Sequence, residues 1–398
     1  MNATTASGAA VLPTMKGISS DDARQKVCFF GPQYGVGGAG HVCANIGKEL
    51  GRRGYDVDFL VSGTYSRDSY LEEDLPHRCS VIRLTDAAPE ERGYNLRYYG
   101  SLFRSLLRYL NGEGQVSLLS NATKYNILSV WASFLSGGSV NLFLIEHNMI
   151  GPRIDGARRV LPPLVRTHYT FADRVLGVSD DVTDELTSDH GLSEELCTTI
   201  QNPVDTDKID EQARESLSHP WFSEDIPVVL GVGRFEEFKQ FWMLLAAFEK
   251  LTRRIDAKLV LLGDGSRKQE LVQQAEASGI EEDIDFVGLV SNPYKYMRRA
   301  NLLAHSSRYE GFGLVLVEAL ACGTPVVATD CPGGPSDILN DGEFGELVDV
   351  GDPEGLADAM ARTLENPPDP DRLMERAQHY RVDKVADRYA EVIERARQ

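Results

Sequence analysis

The chain has 398 residues, of which 42% are hydrophobic and 25% are charged, so it is long enough to bury more than one core and two domains are expected. Its net charge of −19 argues against a nucleic-acid-binding protein, because such binding depends on basic side chains that neutralise phosphates. No run approaches the roughly 18 consecutive apolar residues of a membrane-spanning helix.

The N-terminus also lacks a basic segment followed by an apolar one, which a secretory signal would show. The six cysteines form no C-x-x-C pair, which argues against both a zinc site and a disulfide framework. A cytoplasmic protein is therefore expected.

Residues 1–24 are rich in Ala, Ser, Thr and Gly, and a mobile N-terminal segment is predicted there. An apolar run then leads through a glycine-containing loop to a helical pattern and a second apolar run, and the same alternation returns along the chain. The apolar runs include "KVCFFG", "DVDFLVSG", "VNLFLIEHN", "PVVLGVGRF", "AKLVLLGDG" and "PVVATD". This alternation is typical of an α/β protein with parallel sheets. A polar segment near 200–226 predicts one domain at 25–203 and another at 204–380.

In the first loop, Gly35, Gly37 and Gly40 spell G-x-G-x-x-G, the dinucleotide-binding pattern. That pattern requires a glycine directly after the strand and an acidic residue at the end of the second strand. Here residues 31–34 intervene, and the second strand ends in "VSG". An NAD oxidoreductase is therefore disfavoured. The glycines either bring backbone N–H groups close to an anion or simply allow close packing.

Residues 97–110 form an amphipathic pattern in an otherwise acidic protein. Helical spacing places Arg97, Arg104 and Arg108 in one stripe. The opposite face carries Tyr99, Leu102, Phe103, Leu106, Leu107 and Leu110. Such a helix suits peripheral contact with an anionic membrane, and an ordinary helix packed on its own sheet has the same periodicity.

In the second half, Glu310 and Glu318 flank a glycine-containing turn, and an apolar helix begins near Leu314. Glycines leave the N–H groups at a helix start open to a diphosphate, whose charge the helix dipole favours. Glu318 could then accept hydrogen bonds from ribose hydroxyls, and Glu310 could reach a group beyond the diphosphate. The alternative is that both are solvated charges beside a turn.

Three more polar residues follow predicted strands. Arg234 and Lys239 come after one strand in "GVGRFEEFK", at the sheet edge where open α/β folds bind ligands. Two cations there could neutralise a diphosphate leaving group, although each alone could be an ordinary surface charge. His147 ends another buried strand, where it is either a ligand-side residue or a satisfied core histidine.

Together these segments resemble retaining glycosyltransferase family 4, whose GT-B fold has two facing Rossmann-like domains. "YEGFGLVLVEALACGTPVV" is similar to the family's E-x7-E segment, and "GVGRFEEFK" matches its G-R-x4-K motif. "NPVDTDKI" resembles its interdomain segment and "GGAGHV" its N-terminal glycine loop. Gln240 departs from the glycine that commonly follows the lysine. The resemblance covers residues 26 to at least 356.

The resemblance implies roles for these positions. Glu318 would bind the ribose, Glu310 the donor sugar, and Arg234 and Lys239 the diphosphate, while His147 would lie near the transferred sugar. The implied catalytic set is His147, Glu310, Arg234 and Lys239. The implied donor-binding set adds Gly37, Gly38, Gly311, Phe312, Gly313, Leu314, Val315 and Glu318. Residues 381–398 would form a helix that crosses back to the N-terminal domain.

The implied function is transfer of a hexosyl or N-acetylhexosaminyl group from a nucleoside-diphosphate sugar to a glycan, lipid-linked or small-molecule acceptor, with retention of configuration. Retention in this family is usually attributed to front-face attack by the acceptor, so the resemblance implies no nucleophile from the protein. No D-x-D motif suits a metal, and no cofactor is expected. The alternatives are a GT-B nucleotide-sugar epimerase or hydrolase, or a noncatalytic nucleotide-sugar-binding subunit.

Overall fold

The computed structural model describes residues 26–32, 34, 38–62, 71, 74–85, 96–151 and 161–396. The predicted mobile segment at 1–24 and Gly37 lie outside these ranges. The described chain contains two parallel sheets and their helices, which confirms the α/β fold class.

The first sheet has seven strands in the order β3-β2-β1-β4-β5-β6-β7. The strands are β1 (Lys26–Gly31), β2 (Asp56–Ser62), β3 (Cys79–Thr85), β4 (Gln115–Asn121), β5 (Ser139–Glu146), β6 (Arg174–Gly177) and β7 (Cys197–Thr199). The helices are α1 (Gly38–Arg52), α2 (Leu96–Gly112), α3 (Thr123–Leu135), α4 (Leu161–His168) and α5 (Asp180–Asp184).

The second sheet has six strands in the order β10-β9-β8-β11-β12-β13. The strands are β8 (Val228–Val232), β9 (Lys258–Leu262), β10 (Ile284–Gly288), β11 (Leu302–His305), β12 (Val326–Thr329) and β13 (Glu346–Val348). The helices are α6 (Thr206–Ala213), α7 (Phe241–Thr252), α8 (Lys268–Ser278), α9 (Tyr294–Met297), α10 (Leu314–Ala321), α11 (Pro335–Leu339), α12 (Pro353–Glu365) and α13 (Pro370–Ala377).

Each sheet has one place where its strand order reverses direction, between β1 and β4 in the first and between β8 and β11 in the second. β1, β8 and β11 there are buried, largely apolar runs, as parallel strands covered on both faces require. Open parallel sheets bind ligands beyond the carboxyl ends of their strands at such a switch point. The predicted site residues follow β1, β5, β8 and β11.

A last helix, α14 (Val382–Arg395), lies against α1 of the first sheet's domain. Its Asp387 carboxylate is 2.5 Å from Arg53 Nη1, and Arg388 Nη2 donates to the Thr199 carbonyl at 2.6 Å. Val204 N donates to the Tyr380 carbonyl at 2.8 Å. The two chain segments at the predicted domain boundaries thus lie side by side.

Helix α2 contains the predicted amphipathic segment. Leu102, Leu106 and Leu110 are fully buried, whereas Arg104 and Arg108 are exposed. Packing in the core therefore accounts for the apolar half of the pattern. Throughout the described ranges, no helix is both long and apolar enough to cross a membrane.

Candidate active site

A cleft of about 850 Å³ lies between the carboxyl edges of the two sheets. With the exception of Gly37, every predicted site residue lines it: Gly38, His147, Arg234, Lys239, Glu310, Gly311, Phe312, Gly313, Leu314, Val315 and Glu318. Lys239 and Glu310 are 71 positions apart in the chain. They meet in the cleft because β8 and β11 are neighbouring strands.

Glu310 is the most heavily bonded carboxylate of the cleft. Its Oε1 atom accepts from Lys239 Nζ at 2.5 Å, Ser307 Oγ at 2.6 Å and His305 Nε2 at 2.8 Å. Burial opposes ionisation, but the Lys239 ammonium and the His305 hydrogen bond hold the pKa of Glu310 well below its usual range. Glu310 is therefore a permanent anion with a fixed orientation.

A pair of aromatic rings lies beside Arg234 and Lys239, the two side chains predicted to bind the diphosphate. The Arg234 guanidinium lies 5.6 Å and Lys239 Nζ 5.7 Å from the centroid of the Phe238 ring, and that ring stacks on Tyr309 at 5.2 Å. Cation–π contact favours keeping both cations near the ring. The arrangement places two cations at one wall of the cleft, where Lys239 is also paired with Glu310.

The start of α10 forms the adjoining wall. Gly313, the residue before α10, has φ of +93°, a left-handed conformation that glycine adopts without strain, and no side chain caps the helix. The N–H groups of the first turn, at Leu314 and Val315, therefore face a site where the helix dipole favours an anion.

Glu318 lies one turn into α10 and is partly buried. Its Oε1 accepts from the Tyr294 hydroxyl at 3.3 Å. Burial raises the pKa of Glu318 to about 7, against the opposing effect of that hydrogen bond. The two glutamates thus differ: one is always ionised, and the other titrates near neutral pH.

Two family models match this chain, and together they cover most of it. The model described as Glycosyltransferase Family 4 matches residues 36–208, and the model described as Glycosyl transferases group 1 matches residues 214–380. The chain belongs to glycosyltransferase family 4.

Relatives of this glycosyltransferase differ in what their names say they act on. The N-acetyl-alpha-D-glucosaminyl L-malate synthase of Bacillus anthracis is 26% identical over 89% of this chain and 93% of its own. A Campylobacter jejuni N-acetylgalactosaminyltransferase, named for a diphospho-undecaprenol substrate, is 33% identical over 51% of this chain and 54% of its own. This chain thus spans about half of the latter protein.

Solved structures confirm the GT-B fold of this glycosyltransferase. Anabaena HepE, solved with UDP and glucose, superposes with a TM-score of 0.75 at 21% identity over 94% of this chain and all of its own. Sucrose-phosphate synthase from Thermosynechococcus elongatus also gives 0.75 at 21% identity, over 94% of this chain and 99% of its own.

His147 and Gly38 approach from the first domain of the glycosyltransferase. Burial lowers the pKa of His147 to about 4, so its imidazole is neutral, and Nε2 lies 3.6 Å from Cys43 Sγ. Gly38 starts α1, and a Cβ placed there would lie 2.7 Å from Leu314 Cδ1 of the second domain. Both domains therefore contribute to one narrow cleft.

Sequence reasoning missed several residues that shape this cleft. Phe238, Tyr294 and Tyr309 line it, and His305 and Ser307 hold Glu310 from beneath. Phe238 and Tyr309 each come directly before a predicted site residue, Lys239 and Glu310. Their place next to the two motifs could have indicated them. No sequence pattern indicated His305, the last residue of β11. Its hydrogen bond to Glu310 depends on the turn after β11, which brings residue 310 back to the end of that strand.

Proposed function

We propose that this glycosyltransferase moves a hexosyl or N-acetylhexosaminyl group from a nucleoside-diphosphate sugar to an acceptor, with retention of configuration. The observation that supports it is the joint placement of Glu310, Glu318, Arg234 and Lys239 around the start of α10 in one cleft. This set offers a carboxylate for ribose, positive charge for a diphosphate and a fixed anion beyond it.

The proposed mechanism relies on charge stabilisation and positioning. Arg234, Lys239 and the N–H groups of α10 would stabilise the departing diphosphate, and Glu310 would hold the sugar hydroxyls. A diphosphate oxygen would take the acceptor's proton as the acceptor attacks from the same face. Burial lowers the pKa of His147 to about 4, so its imidazole would be neutral and a weak base, and its proposed role is a hydrogen bond to the sugar. The proposed chemistry uses no metal and no further cofactor.

The proposed acceptor is a glycan, a lipid-linked glycan or a small hydroxylated molecule. The support is the range of the relatives' names, from a diphospho-undecaprenol substrate to L-malate. Phosphatidyl-myo-inositol mannosyltransferase of Mycobacterium leprae, 37% identical over 42% of this chain and 44% of its own, adds a lipid.

The test begins with a panel of nucleotide sugars screened for thermal stabilisation. A ligand at 100 times its Kd stabilises the fold by about 2.7 kcal/mol, enough for a clear rise in Tm. The stabilising donor is then incubated with candidate acceptors, and the anomeric configuration of the glycoside is read by NMR. An isomerised or hydrolysed donor without a glycoside would instead indicate an epimerase or hydrolase, and binding without turnover a noncatalytic subunit.

A further inference from the structure

The residues around α5 of the first domain contact the second domain directly. Ser179, which precedes α5, is fully buried. Its hydroxyl oxygen accepts from Val182 N at 3.3 Å, and the hydroxyl donates to the Gly311 carbonyl at 2.8 Å. Because a serine hydroxyl has a single proton, its only donation goes to the other domain.

A second contact lies two residues further on. Gly333 N donates to Asp181 Oδ2 at 2.6 Å. The loop that contains Gly333 supports the neighbouring loop of the cleft, since Glu310 N donates to the Pro332 carbonyl at 2.8 Å. Ser179 therefore contacts residues 310–313 directly, and Asp181 supports the same region through the loop that contains Gly333.

That region lies against the first domain at its closest approach. A Cβ added to Gly311 would collide with the His147 carbonyl oxygen. The backbones of Gly311 and His147 are thus in direct contact at this junction, and both residues line the cleft. A displacement of about 1 Å at a reacting centre can lower a rate 100-fold, so the contacts that set this junction matter for turnover.

We propose that Ser179 and Asp181 are positioning residues, which fix residues 310–313 against the first domain so that the donor sugar faces the acceptor. This inference rests on the proposed function, which places the sugar beside Glu310. Glu318, Arg234, Lys239 and the N–H groups at the start of α10 all belong to the second domain, so together they would still bind free nucleotide if that domain shifted against the first. The contacts should therefore affect turnover and leave nucleotide affinity unchanged.

The experiment measures kcat and the Kd for UDP in Ser179→Ala and Asp181→Ala. We expect kcat to fall about 10- to 100-fold, and the Kd to stay within about twofold of the wild-type value. Asp181→Asn keeps an acceptor oxygen for Gly333 N and should recover most of the lost kcat. A purely charge-dependent role would not allow that recovery.

Matched controls lie on the same segment. Asp184 is exposed, and the Thr187 hydroxyl donates to the Asp184 carbonyl within the first domain. Asp184→Ala and Thr187→Ala should leave kcat unchanged. Unchanged kcat in both Ser179→Ala and Asp181→Ala, or a loss of UDP affinity equal to the loss of kcat, would overturn the proposal.

A second measurement separates this inference from the proposed function. Small-angle scattering should show a larger radius of gyration for the Ser179→Ala/Asp181→Ala double variant than for the wild type. If the wild type neither binds UDP nor transfers a sugar, the proposed function fails and the scattering comparison still tests the contacts. Identical scattering of the two proteins would then contradict the positioning role.

Discussion

At the scale of single residues, two glutamates eight positions apart have opposite electrostatic environments. Glu310 is paired with Lys239 and remains ionised, whereas burial raises the pKa of Glu318 to about 7. The spacing of the two residues was visible in the sequence. Their difference was not, because it depends on the β8–β11 pairing, which brings a lysine to Glu310, whereas Glu318 accepts a hydrogen bond from the neutral Tyr294 hydroxyl.

This difference predicts a pH-dependent nucleotide affinity. In the nucleotide-free protein the Glu318 carboxyl is mostly protonated below about pH 7. Above that pH it is ionised, and the carboxylate can accept two hydrogen bonds from the ribose hydroxyls. The affinity for the nucleoside diphosphate of the donor, for which UDP is the first probe, should therefore rise with pH, by up to about tenfold per pH unit below the pKa. Isothermal titration calorimetry between about pH 6 and pH 8 measures this dependence.

The control for this prediction is Glu318→Gln, whose amide keeps an acceptor oxygen and does not titrate. Its profile lacks the ionisation at residue 318, so the wild type should show a steeper rise. Parallel profiles of the two proteins would show that Glu318 does not contact the ribose.

At the scale of elements, the sequence predicted strands best where they are apolar throughout. β1 and β5 were identified in this way, whereas β4, "QVSLLSN", was missed although it lies between them. Its serines suggest an exposed segment, but Ser117 and Ser120 are buried and Ser129 Oγ donates to Ser120 Oγ at 2.9 Å. A polar residue with a buried partner from another element has no signature in a single sequence.

Helix α2 gives the prediction at this scale. We propose that its exposed stripe of Arg97, Arg104 and Arg108 contacts an anionic membrane surface by charge alone, since its apolar face is in the core. Each arginine near such a surface contributes about 1 kcal/mol, so replacing all three by Ala should weaken binding on the order of 100-fold. Sedimentation with phosphatidylglycerol vesicles at low salt measures this loss.

A matched triple variant tests whether position matters as well as charge. Arg214, Arg253 and Arg372 are exposed arginines of the second domain. Their replacement by Ala should leave sedimentation unchanged. Equal recovery of the wild type and the Arg97/Arg104/Arg108 variant would reject membrane contact through α2.

At the scale of the whole molecule, the two domains are joined at the cleft and by α14. This helix contributes Val385, Tyr389 and Ile393 as buried side chains, and α1 packs against it. The sequence resemblance predicted a helix crossing back from residue 381, and the helix begins at Val382. The spacing of apolar residues predicts which side chains of the helix are buried. It does not show whether a buried tyrosine hydroxyl has a hydrogen-bond partner, so this detail could not be predicted.

Tyr389 provides the stability prediction at this scale. Its hydroxyl is buried and has no hydrogen-bond partner among the described residues, which leaves the cost of removing it from water uncompensated. Tyr389→Phe should therefore raise the free energy of unfolding by about 1 kcal/mol. Tyr389→Ala should lower it by about 3–5 kcal/mol through the cavity it leaves. Urea unfolding followed by tryptophan fluorescence measures both changes.

Tyr169 is the matched comparison, because it is equally buried and its hydroxyl is bonded. That hydroxyl donates to Glu146 and accepts from Asn126 Nδ2 at 3.1 Å. Tyr169→Phe removes one hydrogen bond from each of these two buried partners, which keep their hydrogen bond to each other, and should cost about 1–3 kcal/mol. The same substitution at two buried tyrosines is thus expected to change stability in opposite directions. A destabilisation at Tyr389 as large as that at Tyr169 would mean that the Tyr389 hydroxyl is hydrogen-bonded in solution, and that α14 has a buried polar contact in addition to those of Asp387 and Arg388.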